Sequence, residues 1–172
     1  QTPFNEAEIK SLWKAYDDGD TWIGYILLMI YSGMMPGELL RCRKETIDLE
    51  AQMIIGSGIK TKERKTKPIV LADFMIPVVS ALMALSDGEK LIKINKDNFY
   101  KTYYKKLEDC ACRKLPPYSC RHTTATALAI GKDISPSIIQ KIMRHSKFST
   151  TERYIHPDAK DSVAAINTLA PQ

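Results

Sequence analysis

Residues 22–35 read WIGYILLMIYSGMM, the longest apolar run in the chain, interrupted only by Gly24, Ser32 and Gly33. A segment apolar on every side is stable in water only when other elements wrap it. The run falls short of the roughly 18 residues that span a bilayer, so it reads as a buried core helix. The rest of the chain must supply its covering, and 172 residues suffice for one domain with a real core, without metals or disulfides.

Helical spacing dominates that covering. Asn5 or Thr2 is placed to cap a first helix with Ile9, Leu12, Trp13 and Tyr16 on one face. The core helix is expected over about 20–32, and Pro36 starts a short third helix, PGELLRC. The period then changes: 46–55 and 67–72 read as short strands separated by a Gly-Ser-Gly turn and a basic loop. Asp73 is a candidate cap for a helix through Leu85 with Pro77 in its first turn, and further helices are expected at 95–111, 119–131, 135–144, 149–155 and 159–169. Ser135 followed by Pro136 supplies a cap and a first-turn proline. The expected fold is mainly α with a small antiparallel three-stranded sheet.

A net charge of +5 and a pI near 9.0 lean towards a polyanionic partner. Cys42, Cys110, Cys112 and Cys120 form no CxxC pair and no zinc-like spacing with histidine, so they read as reduced, buried thiols of a cytoplasmic protein with no metal or other cofactor. The chain opens on Gln1, without a signal peptide, and is expected to be a fragment of a longer protein.

Two segments carry the chemistry, PPYSCRHTTAT (116–126) and IMRHSKFSTTERYIHPD (142–158). Arg121 lies twenty-four residues before His145, and Tyr154 nine residues after it. Breaking a phosphodiester without a metal needs an in-line nucleophile, cations on the non-bridging oxygens and an acid for the departing 5′-hydroxyl. A phenol can attack phosphorus, and a guanidinium offers a planar fork matched to phosphate. Each residue alone has a plainer reading: a core tyrosine, an ion-paired arginine, a histidine at a helix end.

Taken together, STTERYIHPD, the His145–Ser146 pair and RHTTAT resemble the tyrosine recombinases, the phage- and transposon-type integrases. The resemblance implies their catalytic-domain fold, with Tyr154 as nucleophile, Arg121 as phosphate clamp and His145 donating to the scissile phosphate. It implies a catalytic lysine in GIKTKERKTKPIVL as general acid. Lys60 is the first choice and Lys62 its competitor. Lys62, Arg64, Lys65, Lys67, Arg144 and Lys147 are expected to contact the DNA backbone. His122 matches a structural position, and His156 stands just past the nucleophile.

The chain departs from the family at two places. Tyr118 stands where a histidine is usual; it can hydrogen-bond a phosphate but accepts a proton less readily. YSGMMPGELL resembles TGMRxxEL, so Met35 occupies the place of the first catalytic arginine, while Ser32, Gly33, Met34, Gly37, Glu38 and Leu39 fit. Losing one such donor typically costs about 10²–10³ in rate. Arg41 and Arg43 do not substitute, being rotated by about 240° and 80° and displaced by about 9–12 Å along the helix.

The resemblance further implies that 1–172 is a single catalytic domain of a mobile-element integrase, without the family's N-terminal core-binding domain. Its partners would be double-stranded DNA, other protomers in a tetramer on paired sites, and accessory DNA-bending or directionality proteins, with no membrane. The alternatives are a degenerate recombinase that binds DNA without efficient cleavage, and a type IB topoisomerase. The last helix, 159–169, packs either on its own domain or on a neighbour.

Overall fold

The computed structural model describes residues 2–56, 67–131, 133–144 and 159–171. Helix α1 (Glu6–Asp17) begins at Asn5, whose side-chain oxygen accepts the Glu8 N–H at 2.8 Å while the Glu8 carboxylate accepts the Asn5 N–H at 2.9 Å. This reciprocal cap satisfies two amides that a helix start leaves without partners. The cap is Asn5 rather than Thr2.

Helix α2 (Ile23–Ser32) is the expected core helix, and all ten of its residues are buried. Ile23, Ile26, Leu27, Leu28, Met29 and Ile30 each gain about 1.5–3 kcal/mol from removal from water. Gly24 lets the wrapping elements come close: a Cβ there would meet Val78 and Leu82 at 3.0 Å and Tyr16 at 3.2 Å. The residues it would meet belong to α1 and to α4 (Ile76–Leu85), which is entered through a 3-10 turn at Asp73–Met75. Asp73 therefore opens that turn instead of capping the helix.

Helix α3 (Pro36–Arg41) follows α2 after a three-residue turn. Helix α5 (Lys96–Asp109) is capped by Asn95, and α6 (Tyr118–Ile130) crosses α2. At that crossing the Thr124 hydroxyl reaches the Ile30 carbonyl. Helix α7 (Pro136–Met143) has the expected Ser135 cap and packs on α6. Helix α8 (Ala159–Asn167) folds back on its own chain against α7 and the strand Ile69–Val70, and the Asn167 side-chain oxygen accepts the Asp73 N–H at 2.7 Å.

Among the described residues the sheet has three antiparallel strands in the order β1 (Ile47–Asp48), β2 (Met53–Ile54), β3 (Ile69–Val70). Ile47 pairs with Ile54, and Ile54 with Ile69. The stretch 46–55, read as one strand, is therefore a tight hairpin. Its turn is held by Asp48, whose carboxylate accepts the Ala51 N–H at 2.9 Å, and by Gln52 at φ 58°. The expected helix at 149–155 lies outside the described residues.

All four cysteines are free thiols, three buried and Cys112 half-buried. Burial pushes Cys112 and Cys120 up to about 12, so neither supplies a thiolate near neutral pH. Among the described residues no cluster of His, Cys, Asp and Glu is placed to hold a metal, and no helix is long and apolar enough to cross a membrane.

Candidate functional site

The site forms where α2 and α7 end beside the start of α6. Helix α2 stops at Gly33, which takes the left-handed conformation (φ 73°, ψ 14°) and donates its N–H to Met29. A Cβ at Gly33 would lie 3.1 Å from the Met143 sulfur and 3.6 Å from Arg121 Nη1. Glycine is therefore favoured by the left-handed turn, while the flexible end of Met143 and the ordinary contact with Arg121 leave room for a methyl.

Arg121, in the first turns of α6, lies half-buried in that gap. Its Nη1 donates to the Gly33 carbonyl at 2.7 Å, and its Nη2 donates to the Met143 carbonyl. Both acceptors belong to helix C-termini, where carbonyls lack intrahelical donors and the dipole is negative. A guanidinium seated across two such ends is held in one plane. Two of its five donors orient it there, which suits a group that must meet an anion in a fixed geometry.

Behind this seat lies an ion pair. Arg144 Nη2 donates to Glu38 Oε1 at 2.7 Å, with both side chains wholly buried. Arg144 Nη1 also donates to the Ile142 carbonyl at 3.0 Å, and Glu38 Oε1 accepts the Met35 N–H at 2.9 Å. The expectation that Arg144 contacts DNA is corrected here: its guanidinium has no surface to offer, because Glu38 draws it inwards. Nothing in the local text marks it as interior, since its partner lies 106 residues away.

Met35 is buried beside this pair but is absent from the hydrophobic core cluster that includes Met34. Its side chain supplies no charge. Arg43 does not replace it, since its guanidinium is held by Glu45 at 2.8 Å and Glu89 at 2.9 Å. Arg41 is exposed at the end of α3.

Tyr118, the first residue of α6, is 41% exposed and sits one turn before Arg121, on the same helix face. Burial, and secondarily Tyr118 and Tyr104, raise the Tyr100 hydroxyl above its usual range. His122 is half-buried in α6, and Lys67 is half-buried two residues before β3. Lys60, Lys62, Arg64, Lys65, His145, Lys147, Tyr154 and His156 lie outside the described residues. Two structural roles escaped the sequence reading, Gly33 as a carbonyl acceptor and Glu38 as the anchor of Arg144. Glu38 carried two signals, its fit to the family motif and its place as an acid in an otherwise apolar stretch.

The sequence profile of the phage integrase family matches residues 4–161. The chain is 30% identical over 141 residues to the tyrosine recombinase XerA of Thermococcus onnurineus, covering 75% of this chain and 49% of that protein. The fold is similar to that of the integrase from mycobacterium phage Brujita (TM-score 0.75, 16% identity, 99% of this chain and 58% of that one). It is also similar to that of the Tn1549 transposon integrase in complex with circular intermediate DNA (TM-score 0.64, 20% identity, 95% of this chain and 64% of that one). The chain spans from about a third to about half of the length of the curated relatives it matches.

Proposed function

The chain belongs to the phage integrase family, and from that premise we propose that it is the catalytic domain of a site-specific tyrosine recombinase. Its substrate is double-stranded DNA, and it acts in the cytoplasm as one protomer of a tetramer on paired sites. The observation that carries this reading is the seat of Arg121. A guanidinium fixed by two helix-end carbonyls suits the recognition of a phosphate better than a surface ion pair. The net charge of +5 and the DNA-bound transposon integrase of like fold point the same way.

In the proposed reaction Tyr154 attacks the scissile phosphorus and gives up its phenolic proton to solvent water as the new P–O bond forms. The bond to the 5′ oxygen breaks, and that oxygen takes a proton from Lys60 or Lys62. Arg121 and His145 hold the non-bridging oxygens, and Tyr118 donates a hydrogen bond at the edge of the site. The strand is kept as a 3′-phosphotyrosyl ester, so resealing needs neither ATP nor a metal ion. Met35 removes one cation from this scheme, which lowers the rate without altering the pathway.

The test is a nicked suicide substrate carrying the cognate site, incubated with the intact protein. A covalent adduct is expected, retained in EDTA and lost in Tyr154→Phe. Intact protein that binds its site tightly and yields no adduct would refute the reading and leave a DNA-binding role.

A further inference from the structure

A second guanidinium stands at this site, and the cleavage chemistry does not use it. Arg144 closes α7 in the left-handed conformation (φ 55°, ψ 44°), which side chains other than glycine disfavour. An arginine held there must gain from its side chain what it loses in its backbone. The side chain spans three elements. It reaches Ser32 O at 3.3 Å and Gly33 O at 3.5 Å at the end of α2, Glu38 Oε1 at 2.7 Å in α3, and Ile142 O at 3.0 Å in α7.

The Gly33 carbonyl is also the oxygen that accepts Arg121 Nη1. Two guanidiniums therefore converge on one backbone oxygen, and Met143, whose carbonyl is the other support of Arg121, is the residue before Arg144. We propose that Arg144 is the positioning residue of Arg121: it ties together the helix ends that carry both of its acceptors. This rests on the reading of Arg121 as the phosphate clamp. Without Arg144, the ends of α2 and α7 lose the side chain that joins them, and Glu38 loses the buried guanidinium that pairs with it. The fork is then no longer fixed in plane, and the reaction slows although DNA still binds through its backbone contacts.

The test compares Arg144→Lys and Arg144→Gly with wild type. Glycine suits the left-handed backbone, so R144G removes the side chain without adding backbone strain. Three quantities are read: the adduct-forming rate at saturating suicide substrate, the affinity for the same DNA, and the 15N-resolved guanidinium resonance of Arg121 in the DNA-free chain. Both variants should lose at least tenfold in rate with less than threefold change in affinity, and the Arg121 resonance should broaden or exchange faster. Met35→Arg in the R144G background should recover part of the rate, since residue 35 starts beside Glu38.

An Arg121 resonance that is identical in wild type, R144K and R144G would overturn the proposal. So would rate losses that merely follow the melting temperature across all variants. Should wild-type protein form no adduct at all, the recombinase reading falls. The Arg121 resonance still decides whether Arg144 positions it.

Discussion

Gly33→Ala tests whether the turn that ends α2 also sets the reactivity of the site. The native φ of 73° puts an alanine in the left-handed region, at a cost of about 1–2 kcal/mol. The added methyl would lie 3.1 Å from the Met143 sulfur and 3.2 Å from its terminal methyl, both at the flexible end of a side chain that can give by a few tenths of an ångström. Packing strain therefore adds little, and global stability should fall by about 1–2 kcal/mol. For a domain of this size that is roughly 2–8 °C in melting temperature. Arg121 Nη1 makes only an ordinary contact with the new methyl at 3.6 Å, but it donates to the Gly33 carbonyl at 2.7 Å. A shift of the turn carries that carbonyl with it, and displacement of a clamp by about 1 Å can cost on the order of 10²-fold in rate. The assay pairs urea unfolding with single-turnover cleavage of a suicide substrate at a temperature where the variant is fully folded. A variant that loses the expected stability and still cleaves at the wild-type rate would show that the Gly33 carbonyl does not set the position of Arg121.

Two further effects follow from contacts outside the site. Arg113, through its side-chain hydrogen bonds, holds the Glu8 carboxyl at about 2 against a usual value near 4.5, with burial opposing it. A depressed folded value stabilises the protein above the unfolded value, and that stability disappears as pH falls from about 4.5 towards 2. Arg113 is itself half-exposed, so the contribution is discounted to about 1–3 kcal/mol. Denaturant unfolding between pH 6 and pH 2.5 should show it, and Glu8→Gln should flatten that part of the profile; an unchanged slope would refute the assignment. Thr124→Val removes the hydroxyl that serves the Ile30 carbonyl near the end of α2. It should cost about 1–3 kcal/mol, read as a lower melting temperature, and a loss below about 0.5 kcal/mol would mean that another donor takes over.

Much of the fold was legible because its strongest signals are local. The apolar run 22–35 could only be a wrapped helix, and Asn5, Asn95 and Ser135 each cap a helix in the structure as short polar residues at helix starts do. The hairpin at 47–54 was not legible as such, because its turn, Leu49 to Gln52, contains neither glycine nor proline. Its signal lies in Asp48, whose side chain replaces a backbone partner. Asp73 misled for a related reason: an aspartate before an apolar run reads as a cap, yet here the chain tightens into a 3-10 turn.

The site divides along a different line. Residues proposed to meet a substrate sit in recognisable text, and RHTTAT places Arg121 correctly at the start of a helix beside the core. Residues that hold those groups in place have no such text, because their partners are distant in sequence. Arg144 looked like a surface cation next to His145, and only the fold brings it to Glu38. The same geometry sets the meaning of Met35. Position 35 opens α3 with its N–H on the Glu38 carboxylate, which already accepts from Arg144. A second arginine introduced there alone would compete with Arg144 for one buried carboxylate, and burying a cation without its own partner is costly. Met35→Arg in the wild-type background should therefore lower stability rather than restore a missing clamp. It becomes favourable only when residue 144 gives up its charge, so positions 35 and 144 should behave as a coupled pair in a double-mutant cycle.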